Sequence, residues 1–206
     1  MNDRLAALEQ DIGFLKALAM EGRSKTLVGG SILVAAGLTF GLTSVAQWAL
    51  FSHLIPNFGE WTPALLWALS LVVFMIELAV ILRRIGQHKA SGGADRAISA
   101  AWTGAGFAIF ALVVCAMIVA WRTNSDAAAM LIPSMVLCIY GLCWTVAASA
   151  TRKGWVWAAA LGSYAAAGLV AVFCVGPEVY LIYAAALVAV AILPGLALMR
   201  QARAAS

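Results

Sequence analysis

Six long apolar stretches, separated by short polar segments, dominate the pattern of the chain. They cover approximately residues 27–51, 62–82, 98–121, 127–151, 155–175 and 179–199. A helix needs about 20 apolar residues to cross roughly 30 Å of hydrocarbon. The stretches also lack the alternation of polar and apolar residues that spanning β-strands show. The pattern therefore predicts an all-α integral membrane protein with six transmembrane helices in three hairpins.

The composition supports a protein surrounded by lipid. Apolar residues make up 64% of the 206 residues and charged residues only 11%, against roughly 45–50% and about 25% in soluble domains. So few charges cannot cover a surface that faces water. This excludes a secreted soluble domain, a disordered chain and a nucleic-acid-binding module, and it makes membrane lipid the expected surroundings.

The distribution of Lys and Arg predicts the orientation. One group of loops and termini carries Arg4, Lys16, Arg23, Lys25, Arg83, Arg84, Lys89, Arg96, Arg152, Lys153, Arg200 and Arg203, whereas the other three loops carry only Arg122. Basic residues concentrate on the cytoplasmic side of membrane proteins. We therefore expect a multi-pass protein of the plasma membrane, the inner membrane of a bacterium, with both termini cytoplasmic and residues 200–206 as a tail. The same bias explains the basic pI without a nucleic-acid partner.

Residues 1–25 are predicted to form a short amphipathic cytoplasmic helix. Its apolar positions, Leu5, Leu8, Ile12 and Leu15, recur at intervals of three and four residues, as in a heptad seam. Acids and bases balance in this segment, so attraction to anionic lipid is weak. The seam could pack on the protein's own loops, on a second copy or on another polypeptide. Residues 1–22 are thus a candidate site for a protein partner or self-association.

Glu77 is the one charged residue inside the six apolar stretches, and an intramembrane acid indicates a functional site by default. It lies six residues before Arg83, hence roughly 9 Å inside the boundary at about 1.5 Å per residue. The same depth selects residues on the other helices: Ser31, Trp102, Thr103, Thr145 and Pro194-Gly195, with Trp144 adjacent.

From this layer we predict a cytoplasm-facing ligand site that includes Glu77, Trp102, Thr103, Trp144 and Thr145. Pro194 contributes because its missing N–H frees a backbone carbonyl one turn earlier, near Val190. The structural alternative is that Glu77 leans toward Arg84 at the interface, or is protonated and donates a hydrogen bond to a neighbouring helix.

Stripes of small residues predict which helices pack closely. The first, third and fifth helices carry such stripes: Gly37 and Gly41 on the first; Ala100, Gly104 and Ala108, beside Ala97, Ala101 and Ala105, on the third; Ala158, Gly162 and Ala166, beside Ala159, Ser163 and Ala167, on the fifth. We therefore expect these three helices to form the centre of the bundle.

The sequence contains no Gly-rich phosphate loop, HExxH motif or nucleophile elbow. The four cysteines have no metal-ligand spacing. We therefore expect neither an enzyme, a cofactor nor a metal site. The first functional hypothesis is a small ligand-binding or transport subunit built around Glu77. The second is a membrane-bound sensor or regulator that binds a partner through its N-terminal heptad helix. In gross topology, with six helices and cytoplasmic termini, the chain resembles the substrate-capture subunits of energy-coupling-factor vitamin transporters, a likeness that transfers no site residues.

Overall fold

The computed structural model of the chain describes residues 29–55, 59, 61–85 and 93–204. The predicted N-terminal helix, with Leu5, Leu8, Ile12 and Leu15, lies outside the described residues.

Within the described part of the chain, six helices are long and apolar enough to cross a membrane, which confirms the prediction of an all-α membrane protein. They are α1 (Gly29–Phe51), α2 (Thr62–Ile85), α3 (Gly93–Thr123), α4 (Ala127–Thr151), α5 (Gly154–Val172) and α6 (Glu178–Ala204). α3 begins at Gly93 rather than at the predicted residue 98. Its first turn contains the charged residues Asp95 and Arg96, which lie at the polar boundary. α6 contains a π-helical turn at Val188–Ile192, directly before Pro194.

Neighbouring helices can be followed from contact to contact across the bundle. α2 packs on α1 through the rings of Phe40 and Trp67, and α1 packs on α6. α6 contacts α5 and α4 in turn, and α4 contacts α3. The buried core lies between α1, α4, α5 and α6, whereas α2 and α3 are peripheral. Within the described residues, Ser70 is the one buried side chain of α2 and Ala105 that of α3.

The prediction that the first, third and fifth helices form the centre is wrong for α3. Ala100, Gly104 and Ala108 are exposed, and a Cβ built on Gly104 would meet nothing within 4 Å. α3 turns its adjacent stripe toward α4 instead: Ala105 is buried, and the Ala101 carbonyl accepts a hydrogen bond from Cys143 at 3.4 Å. Small residues permit close approach, but the facing helix decides which stripe is used.

Among the described glycines, the closest approach between two helix backbones occurs where α1 crosses α6. A Cβ added to Gly30 would lie 2.7 Å from the Gly195 carbonyl oxygen, and one added to Gly195 would lie 2.9 Å from the Gly30 carbonyl oxygen. Further along the same interface, a Cβ on Gly37 would lie 2.6 Å from the side chain of Ile192. Because lipid provides no hydrophobic drive for helix association, such close packing supplies much of the attraction between helices.

We expect Gly30→Ala to destabilise the protein by about 1–3 kcal/mol, because the added methyl group forces the backbones of α1 and α6 apart. Gly41→Ala is the matched control, since Gly41 is also buried on α1 but a Cβ there meets nothing within 4 Å. It should leave stability unchanged or raise it slightly through better helix propensity. Thermal unfolding of the detergent-solubilised variants measures both effects; equal melting temperatures would contradict the proposed crossing.

Candidate functional site

A chain of polar side chains follows the interface between α1 and α2, and we call Thr39, Thr43, Ser70 and Glu77 the polar seam. The Thr39 hydroxyl donates a hydrogen bond to Oε2 of Glu77 at 2.8 Å. The Thr43 hydroxyl reaches the carbonyl oxygen of Thr39 at 2.8 Å and also contacts the Ser70 hydroxyl. Glu77 thus turns toward α1 and not along its own helix toward Arg84.

Helical spacing explains how the polar seam forms. Thr39 and Thr43 are four residues apart on α1, and Ser70 and Glu77 are seven apart on α2, so each pair lies on one helix face. Thr43 and Ser70 can also bond the carbonyls four residues earlier in their own helices. Such back-bonding lets a hydroxyl lie in an apolar medium without an unsatisfied group.

Aromatic rings flank the polar seam. Phe40 of α1 lies 5.3 Å from the ring of Phe74 and 6.3 Å from that of Trp67 on α2. These contacts pack the two helices against each other beside Glu77, whose side chain is partly buried. The carboxyl therefore lies at the edge of the bundle and outside its fully buried core.

The structure divides the predicted layer between two interfaces. Glu77 contacts α1, whereas Trp102 of α3 packs edge-on against Tyr140 and Trp144 of α4, with ring centroids 5.4 and 5.5 Å apart. Thr103 is exposed on α3. Thr145 donates to the Gly141 carbonyl of its own helix at 2.8 Å and lies 3.3 Å from the Tyr164 hydroxyl. A ligand role for Trp102, Thr103, Trp144 and Thr145 stays a prediction.

Trp144 has a structural role that sequence reasoning did not assign. Its side chain is 2% exposed, and its indole N–H donates to the Val190 carbonyl oxygen at 2.9 Å. This carbonyl is the one predicted to lose its helical partner because of Pro194. The indole of α4 thus satisfies the interruption in α6.

α1 carries a buried polar face that the pattern of apolar stretches did not predict. Thr43, Ser44 and Gln47 are 5%, 0% and 3% exposed. The signal was present in the four-residue spacing of Thr39, Thr43 and Gln47, which puts one polar stripe on an otherwise apolar helix. Oε1 of Gln47 and Oγ of Ser134 are buried and have no hydrogen-bond partner within the described part of the chain.

Among the described residues, no group of three or more His, Cys, Asp or Glu side chains is placed to hold a metal ion. No family model, curated protein or solved structure matches the chain. The resemblance to vitamin-transporter subunits therefore rests on topology alone.

We expect Trp144→Phe to destabilise the protein by about 1–3 kcal/mol, because it leaves the buried Val190 carbonyl without this donor. Trp157→Phe makes the same chemical change on α5, where the side chain is 42% exposed, and should have little effect. Thermal unfolding in detergent compares the two. A Trp144→Phe protein as stable as the Trp157→Phe protein would show that the indole bond contributes nothing.

Proposed function

We propose that the protein is a small ligand-binding or transport subunit in which the polar seam takes up a proton or a cationic group at Glu77. The observation that supports this most directly is a partly buried carboxyl in the hydrocarbon region with one hydroxyl donor from a neighbouring helix. An ionisable group at this depth is costly and typically belongs to an ion or proton pathway.

The bonding of Glu77 favours uptake of a ligand over a purely structural role. Oε2 accepts a hydrogen bond from Thr39, whereas Oε1 has no hydrogen-bond partner among the described residues. A proton or a cationic group would satisfy the remaining oxygen, since an unpaired charge in the hydrocarbon region is costly. Oxygens of Thr39, Thr43 and Ser70 line the same interface and can adjust their donors, because each hydroxyl both donates and accepts.

The weak embedding of α2 also suits a helix that responds to a ligand. Among the described side chains of α2, only that of Ser70 is buried. α2 can therefore shift against α1 without opening the core of α1, α4, α5 and α6. A ligand that binds one position of α2 more tightly would shift the population toward that position.

The proposed orientation puts the Glu77 end of the polar seam nearer the cytoplasm. Gly30 meets Gly195, and Phe51 lies 5.8 Å from the ring of Tyr180, so α1 and α6 are antiparallel. Among the described residues, the end of the bundle with Gly30 and Gly195 also carries Arg83, Arg84, Arg96, Arg152, Lys153, Arg200 and Arg203; we call it the basic end. By the positive-inside rule the basic end is cytoplasmic in a bacterial inner membrane.

We further propose that the protein performs no catalysis, because Glu77 has no second ionisable group beside it in the described interface.

The reactivity of Glu77 tests the proposed uptake. A hydrophobic carbodiimide modifies protonated carboxyls in apolar surroundings, and mass spectrometry locates the modified residue. We expect modification at Glu77 that slows with at least one cation among sodium, potassium, guanidinium and tetramethylammonium. Glu77→Gln should abolish it while the protein still inserts into the membrane.

Glu178→Gln is the control for loss of a carboxylate, because Glu178 is exposed at the start of α6. It should leave the modification of Glu77 unchanged. A Glu77 that does not react, or that reacts at one rate with every cation, would reject the proposal and leave a structural carboxyl.

Deletion of residues 2–22 separates this proposal from the regulator hypothesis. If the polar seam carries the function, the deletion leaves the cation-dependence of Glu77 modification unchanged. If the N-terminal heptad positions Leu5, Leu8, Ile12 and Leu15 bind a partner that controls the protein, the deletion abolishes recovery of that partner after cross-linking in native membranes, and Glu77→Gln does not.

A further inference from the structure

An open groove of about 420 Å³ lies between α5 and α6, apart from the polar seam. Its volume falls in the range of roughly 300–1,000 Å³ that ligand sites occupy. Small residues of α5, including Gly162 and Ala166, form one wall, and Ala189, Leu193 and Pro194 of α6 form the other. The walls are almost entirely apolar, and Gly162, Ala189 and Leu193 are exposed, so the groove opens toward lipid.

The length of the groove matches one leaflet of a bilayer. Along α5 it extends from Trp155 to Ala166, eleven residues or roughly 16 Å at about 1.5 Å per residue. The hydrocarbon region is about 30 Å thick, so the groove reaches from the basic end to about the middle of the hydrocarbon region. An extended acyl chain of a lipid in that leaflet has this direction and reach.

Positive charge and a hydrogen-bond donor occupy the end of the groove where a lipid headgroup would lie. Lys153 immediately precedes α5, and its Nζ donates to Oε1 of Gln201 on α6 at 2.9 Å, which joins the two helices at the basic end. Arg152 and Arg200 are exposed beside these residues in the chain. No acidic residue lies in segments 150–158 or 193–204, so the charges that these two segments carry are all positive.

Trp155 connects the charged end with the apolar groove. Its ring lines the groove, and its indole Nε1 is buried without a hydrogen-bond partner within the described residues. A buried unsatisfied donor is costly, and tryptophan prefers the level of lipid headgroups, where one end of the ring meets polar atoms. An ester carbonyl of a bound lipid would be an acceptor for this N–H.

We propose that this groove is a specific site for an anionic phospholipid of the leaflet at the basic end. One acyl chain lies between α5 and α6, the Trp155 N–H donates to an ester carbonyl, and the phosphate lies against Lys153, Arg152 and Arg200. The site is independent of the polar seam and of any ligand at Glu77. Basic clusters beside transmembrane helices attract anionic headgroups in the same way.

Native mass spectrometry of the detergent-solubilised full chain tests the site with phosphatidylglycerol and phosphatidylcholine of identical acyl chains. We expect phosphatidylglycerol to bind more tightly. Gly162→Leu should weaken its binding about tenfold, because the leucine side chain removes close van der Waals contacts of the acyl chain with α5 and α6 that detergent does not reproduce. A Cβ on Gly162 meets no protein atom within 4 Å, so the variant fills the groove without disturbing the helices.

Gly168→Leu is the matched control for the groove. Gly168 is exposed on the same helix with nothing within 4 Å of an added Cβ, but it does not line the groove, so lipid binding should be unchanged. For the headgroup, Lys153→Gln should weaken phosphatidylglycerol about fivefold and leave phosphatidylcholine unaffected. Arg122→Gln, at the opposite end of the bundle, should affect neither lipid.

Fluorescence quenching locates the chain directly. Phosphatidylglycerol brominated on its acyl chains should quench the wild type more than the Trp155→Phe variant, because Trp155 lines the groove. Equal effects of Gly162→Leu and Gly168→Leu would overturn the proposal, as would equal binding of the two lipids. A change of oligomeric state in Gly162→Leu without a change in lipid binding would also overturn it and assign the groove to a second copy of the chain.

Discussion

The hydrogen bond from the Trp144 indole to the Val190 carbonyl gives a partner to the backbone carbonyl that Pro194 frees inside the bundle. Hydrocarbon offers no water to a free backbone carbonyl, so an interrupted helix must find its partner inside the protein. Pro194 interrupts α6, and Trp144 of α4, whose side chain is 2% exposed, supplies the donor inside the core. The neighbouring rings of Trp102 and Trp155, 5.5 and 6.3 Å from Trp144, join α3 and α5 to this point. This bond joins α4 directly to α6.

Two other features depend on the same segment of α6. The π-helical turn at Val188–Ile192 precedes Pro194, and Gly195 immediately afterwards meets Gly30 of α1. On the other side, Pro194 and small residues of α5 leave the groove open. One interrupted helix thus has a close contact on one face and an open lipid-facing space on the other. In lipid, helices associate by packing and hydrogen bonds, so local departures from regular helix decide where contacts form.

Polar groups in the described bundle differ in how completely their hydrogen bonds are satisfied. Ser44 and Ser163 are fully buried and bond carbonyls of their own helices, which fits a structural role. Glu77 is instead partly buried between α1 and the peripheral α2, with one oxygen held by Thr39. Trp155 has a buried N–H without a described partner and lies beside the groove. The two proposed sites therefore lie where the protein leaves bonding capacity for a ligand.

Local pattern alone determined that the chain spans a membrane with six helices, because the length of an apolar stretch must match the hydrocarbon thickness. It also identified Glu77 as the one intramembrane charge and Pro194 as the source of a free carbonyl near Val190, since both follow from single residues and helix geometry. Depth along each helix could be estimated from sequence, but rotation about its axis could not. Tertiary packing therefore decided that Glu77 meets Thr39 and not Trp102 or Trp144. It also decided that α3 faces α4 with Ala105 while Gly104 faces outward, because side-chain fit between helices fixes their rotation, and that fit depends on residues distant in the sequence.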